Sequence, residues 1–249
     1  MLVVVLATIA LSGCLDKITG KTDPPGPRDY VNGDDYTTWL IELDVAQGVN
    51  VPAASLNLLH DRLAQVVDKP DGIQIVPDET LSAHPGPWSE KDVLDTDSST
   101  KDLKTRGKTV TLHLMVLDGT YTEGNVLGLT YSSSTKSGKV VSSGPVVLFA
   151  DSIHSAACPP PLGLCNNEAG VWSAVLVHEF GHAMGLVNNG APMQREHEDH
   201  AHPGHSTNQN SVMYYEVETT NVLNVFRGGP PTTYDGDDKA DLCALGGKC

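Results

Sequence analysis

The chain has 249 residues, with 16 Lys or Arg against 31 Asp or Glu, which gives a formal net charge of -15. This acidic excess argues against nucleic acid or an anionic membrane surface as a partner, because both repel negative charge. The hydrophobic fraction of 39% is ordinary for a folded protein and excludes disorder over most of the chain. The length suffices for one sizeable core or for two small lobes that share a cleft.

The N-terminus is an apolar run that ends in Leu-Ser-Gly-Cys at residues 11–14. It is too short to span a bilayer as a mature helix and has the length of a signal-peptide core. Its end resembles the lipobox of bacterial lipoproteins, in which the cysteine is lipidated and becomes the new N-terminus, although no basic residue follows Met1. We therefore expect an exported protein that is lipid-anchored through Cys14 to the bacterial cell envelope, at the outer membrane or cell surface. Secretion without an anchor is the alternative.

Residues 15–35 are polar and rich in Pro and Gly. They show no apolar periodicity to bury, so they predict a flexible tether. The folded domain is then predicted to span residues 36–249.

The elements predicted along this domain favour a sheet with helices packed on it and exclude an all-α bundle. Strands are predicted at Thr38–Val45, Gly72–Val76, Thr109–Leu117, Val126–Tyr131 and Pro145–Ala150. Helices are predicted at Ala53–Val67, which has an apolar face, and at Gly170–Leu186. Loops are predicted at Leu81–Arg106 and Ser132–Ser143.

Beyond Cys14 the chain has four cysteines, an even number, which in an oxidising compartment favours disulfides. The members of each local pair bracket a short loop, so we predict the bonds Cys158–Cys165 and Cys243–Cys249. Zinc binding by these cysteines is the alternative, but neither pair has CxxC spacing.

The main functional signal is the HExxH motif HEFGH at residues 178–182, followed by Gly185. Histidines four residues apart project from one face of a helix, where two imidazoles can bind one Zn²⁺. Glu179 is then free to take a proton from a zinc-activated water. Gly185 suits a helix end with a left-handed backbone. The position where this spacing usually places a third histidine holds Asn188, and a neutral amide is a poor zinc ligand.

The stretch from His178 to Gly185 resembles the metzincin clan of zinc endopeptidases, which also requires a methionine turn beneath the metal. Met213 is the candidate for that turn. In archaemetzincin-like members the third histidine is followed by Cys, four residues, Cys, one residue and Met. The stretch HSTNQNSVM at 205–213 has this spacing, with serine at both cysteine positions. The resemblance implies that His205 is the third zinc ligand, beside His178 and His182. It also implies that an insertion, Asn188–Gly204, separates His205 from the HExxH motif.

The insertion offers further candidates for the third ligand: His197, Asp199, His200 and His202. Of these, His197 and Asp199 are the main alternatives to His205. A glutamate from a following helix, as in the gluzincin clan, is disfavoured because the sequence NNGAP after the motif is a poor helix. The loop 196–205 is also a candidate for a second metal ion.

Two residues of the predicted turn have expected roles at the site. Tyr215, two residues after Met213, matches the tyrosine that contacts zinc or the reaction oxyanion in astacin-like members. An ordinary aromatic side chain of the cleft wall is the alternative for Tyr215. Met213 is expected to pack beneath the metal without binding it.

The resemblance implies an α+β, metzincin-like fold and a zinc metalloendopeptidase. An upper lobe, 36–185, would carry a twisted mixed sheet and the zinc helix, and a small irregular or helical lower lobe, 186–249, would carry the Met-turn. One catalytic Zn²⁺ would activate water, with Glu179 as general base and a protein or peptide as substrate. We expect a monomer that binds no nucleic acid and meets the membrane only through its lipid anchor. A zinc-binding envelope lipoprotein without turnover and a zinc amidase acting on cell-wall peptides are the alternatives.

Overall fold

The computed structural model describes residues 24–84, 86–124, 126–134, 140–158, 165, 167–222 and 229–249. The predicted signal peptide and its Cys14 lie outside this part of the chain. Within it, no helix combines the length and the apolarity that crossing a membrane would need.

A five-stranded mixed sheet lies at the centre of the molecule, with the strand order β2-β1-β3-β5-β4. The strands are β1 (Thr38–Ala46), β2 (Gly72–Leu81), β3 (Thr109–Leu117), β4 (Gly128–Ser134) and β5 (Val140–Phe149). β1, β2, β3 and β5 run parallel, and the edge strand β4 is antiparallel to β5. The central strand β3 is buried at every position after Thr109, which explains its nearly continuous apolar sequence.

Six α-helices and one short 3-10 helix surround the sheet in the described residues. They are α1 (Pro27–Val31), α2 (Ala53–Val66), α3 (Glu90–Thr100), α4 (Ala150–Ala157), α5 (Glu168–Ala183), α6 (Gly236–Leu245) and the 3-10 helix Tyr215–Glu218. α2 and α5 pack against each other, α5 also packs on β4 and β5, and α2 on β2. α5, which carries the HExxH motif, is therefore fixed against the edge of the sheet that β4 forms.

The sheet carries a separate apolar core on each face. Along β3, Leu114 and Val116 belong to the larger core, which includes most of α5, whereas Met115 and Leu117 belong to a smaller core. Strand geometry imposes this alternation, because successive side chains point to opposite faces. Val93 of α3 joins the smaller core and so ties α3 to the other face.

The predicted α+β class is confirmed, since each predicted strand and both predicted helices occur close to their expected places. The loop predicted at 81–106 is wrong over α3. That helix buries only Val93, so it lacks the apolar stripe that would reveal it. Its signal in the sequence is the capping box, in which Ser89 and Asp92 hydrogen-bond each other's backbone N–H groups.

The tether predicted for residues 15–35 is wrong over residues 27–31, which form α1. Tyr30 is only 1% exposed and packs in the larger core. The helix begins where Asp29 accepts a hydrogen bond of 2.9 Å from the backbone N–H of Gly26. A Pro- and Gly-rich composition hides so short a helix, and the folded domain begins earlier than predicted.

After α5 the chain turns at Gly185, whose φ of +87° few other residues tolerate. The described residues of 186–249 contain the 3-10 helix and α6 as their regular elements, in line with a small irregular C-terminal lobe. α6 packs against α1 and α2. The division at residues 185 and 186 stays a prediction.

Both predicted disulfides are present, Cys158–Cys165 after α4 and Cys243–Cys249 beyond α6. The alternative of a zinc site built from these four thiolates is wrong, because a sulfur in a disulfide is not available as a thiolate ligand.

Candidate metal centre

α5 presents His178 and His182 from one face, one turn apart. Their Nε2 atoms lie 3.0 Å from each other, and the residues are 0% and 9% exposed. The apolar burial of α5 leaves little water to solvate these nitrogens. Two imidazole nitrogens so close together in a dry site fit a shared cation.

His205 comes to the same point from the far end of the insertion. Its ring centre lies 5.3 Å from that of His178 and 5.0 Å from that of His182. The Nε2 atom of His205 is buried without a hydrogen-bond partner. The structure thus places the predicted third ligand beside the first two, although its binding of a metal stays a prediction.

Backbone carbonyl groups orient these imidazoles. His178 Nδ1 donates a hydrogen bond of 2.6 Å to the carbonyl of Val212, and His205 Nδ1 donates one of 3.2 Å to the carbonyl of His202. A neutral imidazole with its hydrogen on Nδ1 has a lone pair on Nε2, which is the form that binds a metal. The lone pairs of His178 and His205 therefore face the centre of the cluster.

The electrostatics of the cluster keep His182 neutral. Burial lowers the pKa of His182 well below its usual value, and the neighbouring His178 and His205 lower it further. Since metal binding requires an unprotonated imidazole, no proton has to be removed from His182 at neutral pH.

The alternative third ligands lie elsewhere in the insertion. His197 is buried, with its Nε2 2.9 Å from Asp241 Oδ2 on α6. Asp199 lies against His202, whose Nδ1 is 2.7 Å from its Oδ2. Through these contacts, His197 and Asp199 stabilise the fold of the insertion.

Asn188 anchors the insertion. Its φ is +57°, and its side-chain amide donates a hydrogen bond of 3.0 Å to Glu198 Oε2. The other oxygen of Glu198 accepts a hydrogen bond of 3.0 Å from the backbone N–H of Gly204. The backbone N–H of Asp199 donates to the carbonyl of His205 at 2.7 Å. These hydrogen bonds bring the two ends of the insertion together, and His205 lies at its C-terminal end.

The loop in which a second metal ion is predicted contains a largely exposed cluster of two glutamates and one histidine. Possible ligand atoms of Glu196, Glu198 and His200 lie within 4.8 Å of one another. Glu198 is already bonded to Asn188 and Gly204. A second metal ion in this loop stays a prediction.

Glu179 lies beside the histidines and is fully buried, at 0% exposure. Its Oε2 accepts a hydrogen bond of 2.9 Å from the hydroxyl of Thr130 in β4, while its Oε1 is buried without a partner. Burial raises the pKa of Glu179 well above its usual range, and the charge of Glu218 raises it further. One carboxylate oxygen is thus held in place and the other is available for a proton.

The cleft next to these groups has a volume of about 380 Å³. Its walls include Leu129 and Thr130 of β4, Glu179 and His182 of α5, and Glu218. The edge strand β4, the base candidate Glu179 and one histidine of the cluster, His182, therefore border one open space.

Met213 is fully buried against α5, where a Cβ at Gly181 would collide with its sulfur. Its backbone N–H donates a hydrogen bond of 2.9 Å to Ser211 Oγ, and its carbonyl accepts one of 2.8 Å from the N–H of Ser206. Ser211 Oγ donates in turn to Asp238 Oδ2 at 2.5 Å. The two serines at the cysteine positions thus hold the turn by hydrogen bonds, a role that the sequence did not reveal.

The side chain of Tyr215 is engaged by its neighbours. Its hydroxyl donates a hydrogen bond of 2.9 Å to Glu216 Oε1, and its ring stacks on His202 with 3.6 Å between ring centres. Its predicted role at the metal stays a prediction.

Glu218, the last residue of the 3-10 helix, is a residue of this site that was not predicted from the sequence. Its Oε1 lies 3.1 Å from His205 Nε2, and its Oε2 lies 3.5 Å from His178 Nε2. Burial opposes its ionisation, but these imidazoles outweigh burial and lower the pKa of Glu218 well below its usual range. Its position soon after Met213 was visible, but no motif marks it.

The chain matches no known protein family and no curated protein by sequence. Among solved structures it is similar to archaemetzincin from Methanopyrus kandleri, with a TM-score of 0.51 and 16% sequence identity. The similarity covers 84% of this chain and 96% of that chain. At this identity the likeness shows the fold alone, and the mixed sheet with its helices is archaemetzincin-like.

Proposed function

We propose that this protein is a zinc-dependent endopeptidase. The observation that carries the proposal is a cluster of three histidines beside a cleft that His182 and Glu179 line, where Glu179 keeps one carboxylate oxygen without a hydrogen-bond partner. Imidazole nitrogen is a preferred zinc ligand, and the donor set fits that ion. A purely structural metal site has no use for an adjacent base.

Zinc bound there supplies a Lewis acid that polarises the scissile carbonyl and makes a water molecule easier to deprotonate. Glu179 Oε1 accepts the proton of the attacking water and then donates it to the leaving amine. The hydroxyl of Thr130 holds Oε2, so the free oxygen keeps its direction during both transfers.

The edge strand β4 provides a site for an extended peptide. One side of β4 pairs with β5, and the other side is the edge of the sheet. Backbone groups on an exposed edge can pair with a peptide strand. Because Leu129 and Thr130 also line the cleft, a peptide bound along β4 passes close to Glu179.

The test is hydrolysis of casein by the zinc-loaded protein, with and without a chelator. We expect cleavage that the chelator abolishes and added zinc restores. The variant Glu179→Gln should keep stoichiometric zinc and lose activity by roughly 10²- to 10⁴-fold, because an amide cannot take up the proton. Near-wild-type activity of this variant would remove the assigned base. Stoichiometric zinc without any hydrolysis by the wild-type protein would instead favour a non-catalytic zinc protein.

We also propose that the protein is exported and anchored through a lipid on Cys14. The sequence LSGC at 11–14 supports the anchor, and two disulfides suit an oxidising compartment. Membrane fractions of the producing bacterium should contain the wild-type protein, and a fatty-acid probe should label it. The Cys14→Ala variant should not be labelled by this probe. Equal labelling of both forms by a fatty-acid probe would contradict the anchor.

A further inference from the structure

We infer that Glu218 is a fourth protein ligand of the metal in the resting protein, where its carboxylate occupies the position that hydrolysis requires for water. The inference rests on the proposed function for the identity of the metal. It adds a control step to that function, because a catalytic zinc site needs one position open to water or substrate.

Three separations within this group of four side chains are close to those of a tetrahedral zinc shell, and all of its possible ligand atoms lie within 4.8 Å of one another. Two ligands that each lie 2.0–2.1 Å from zinc at tetrahedral corners are separated by about 3.3–3.4 Å. The two Nε2 atoms of His178 and His182 are 3.0 Å apart. Glu218 lies 3.1 Å from His205 Nε2 through Oε1 and 3.5 Å from His178 Nε2 through Oε2. These distances bracket the expected value.

Glu218 approaches His205 at 3.1 Å, a distance that fits either a shared proton or a shared metal ion. The two atoms are close enough for a hydrogen bond, but the direction of the ring N–H is wrong, and His205 Nε2 has no hydrogen-bond partner. The ring hydrogens of His205 and His178 are already used at Nδ1, by the carbonyls of His202 and Val212. In the neutral form of these imidazoles, which is the form that binds a metal, electron-rich nitrogen and oxygen atoms would face one another, and a cation between them would stabilise the arrangement.

The backbone of Glu218 is tied to the beginning of β4. The carbonyl of Glu218 accepts a hydrogen bond of 3.0 Å from the N–H of Leu127, and Thr219 pairs with Val126. The Glu218 side chain lines the same cleft as Thr130 of β4. A peptide bound along β4 therefore enters the space beside Glu218 and can compete with its carboxylate.

Opening the site is a ligand exchange. The bond between the metal and the Glu218 carboxylate would break and a bond to water would form, with no change in oxidation state and no group transferred. Until that exchange, the four protein ligands leave no position for water or for another small ligand. The resting protein is therefore closed to such ligands, and substrate entry opens it.

The experiment compares wild-type protein with Glu218→Gln and Glu218→Ala, the second of which removes both oxygen atoms. Glu216→Gln is the matched control, because Glu216 lies in the same 3-10 helix and bonds Tyr215 and Thr219 instead of the histidines. Zinc affinity is measured by competition with a chromophoric chelator. Access to the metal is measured in the Co²⁺-loaded proteins, by the change in visible absorption when azide is added.

We expect both Glu218 variants to bind zinc at least about 10-fold more weakly than the wild-type protein. Their Co²⁺ forms should bind azide at concentrations that leave the wild type and Glu216→Gln unchanged. Wild-type zinc affinity in both variants, or azide binding by the wild type as readily as by the variants, would overturn the inference. Neither readout uses hydrolysis. A wild-type protein with Glu218 on the metal but no peptidase activity would refute the proposed function and leave this inference standing.

Discussion

Gly128 of β4 lies so close to Glu179 of α5 that a Cβ at position 128 would be 2.8 Å from both Cγ and Oε1 of the glutamate. It would also be 3.0 Å from Cγ1 of Val175. The absence of a side chain at Gly128 is therefore what lets the edge strand approach the helix. This close approach also brings the hydroxyl of Thr130 within 2.9 Å of Glu179 Oε2.

We predict that Gly128→Ala impairs catalysis more than zinc binding. The added methyl group must displace the Glu179 carboxylate, and a shift of about 1 Å at a reacting group can lower kcat by roughly 100-fold. Gly236→Ala is the control, because a Cβ at Gly236 meets nothing within 4 Å. Peptidase kinetics and zinc stoichiometry of both variants test this. An unchanged kcat for Gly128→Ala would show that Glu179 adapts without loss.

We predict that zinc affinity depends on His205 and not on Asn188, which occupies the usual position of the third histidine. His205→Ala removes a ligand and should weaken zinc binding by more than about 100-fold, beyond the loss caused by removing only a partner of a ligand. Asn188→Ala should leave zinc tightly bound and cost about 1 kcal/mol of stability through its lost hydrogen bond. Competition with a chelator measures the first effect, and denaturant unfolding measures the second.

The controls for this prediction are His197→Ala and Asp199→Ala, because both residues lie in the same loop. Each should lower stability by breaking its contact with Asp241 or His202 and leave the zinc shell complete. If His205→Ala keeps stoichiometric zinc while one of the controls loses it, the ligand assignment is wrong.

The surroundings of His113 predict that part of the free energy of unfolding depends on pH. It is fully buried in β3, with Nε2 3.0 Å from Asp44 Oδ2 and Nδ1 2.8 Å from Asp97 Oδ1. Glu42 is also close. Burial opposes protonation, but the hydrogen bonds to Asp97 and Asp44 outweigh it and raise the pKa of His113. Protonated His113 thus stabilises the folded state fully below pH 6.5, the ordinary pKa of histidine. This stabilisation is lost as pH rises through the raised pKa of His113.

The free energy of unfolding should therefore fall as pH rises from 6.5, and Asp97→Asn should make this fall smaller. His113→Leu should cost about 3–5 kcal/mol at neutral pH, because it leaves Asp44 buried without its partner. Denaturant titrations at a series of pH values measure both effects. His60→Gln, at an exposed position of α2, should keep the wild-type profile. A profile for Asp97→Asn identical to wild type would contradict the role of the pair.

If the protein is exported and lipidated at Cys14, as proposed, it should show no free thiol after denaturation without reductant, because its other four cysteines form two disulfides. Replacing Cys243 and Cys249 together by serine should lower the free energy of unfolding by about 2 kcal/mol, the value expected for so short a loop. Thiol titration and denaturant unfolding are the measurements, with Cys14→Ser as the comparison. Two or more titratable thiols in the native, processed protein would be incompatible with these bonds.

The zinc helix could be predicted from the sequence because its chemistry is local. Five residues, 178–182, contain two histidines and the base, and helical geometry alone places both imidazoles on one face. No local pattern indicates His205, which could be predicted only from its distance to Met213 in the family pattern. The folding of the insertion, with contacts such as the hydrogen bonds of Glu198 to Asn188 and Gly204, sets the position of His205, and no spacing rule contains these contacts.

Glu218 was beyond prediction because contacts with a distant part of the chain set its position. Its backbone pairs with Val126 and Leu127, just before β4, and nothing near Glu218 in the sequence encodes that pairing. The order of the strands in the sheet could not be predicted from the sequence either, because it also depends on contacts between distant parts of the chain. Each strand is marked by its own composition, but parallel neighbours such as β1 and β3 are joined through long crossovers.

Ser206 and Ser211 make the loop beneath the metal insensitive to reductant. A thiol reagent that opens Cys158–Cys165 and Cys243–Cys249 acts beyond α4 and α6. The bonds that fix Met213 are between hydroxyl, carboxylate and amide groups, which such a reagent does not attack. Reducing conditions that open the two disulfides should therefore leave the bonds around Met213 chemically intact.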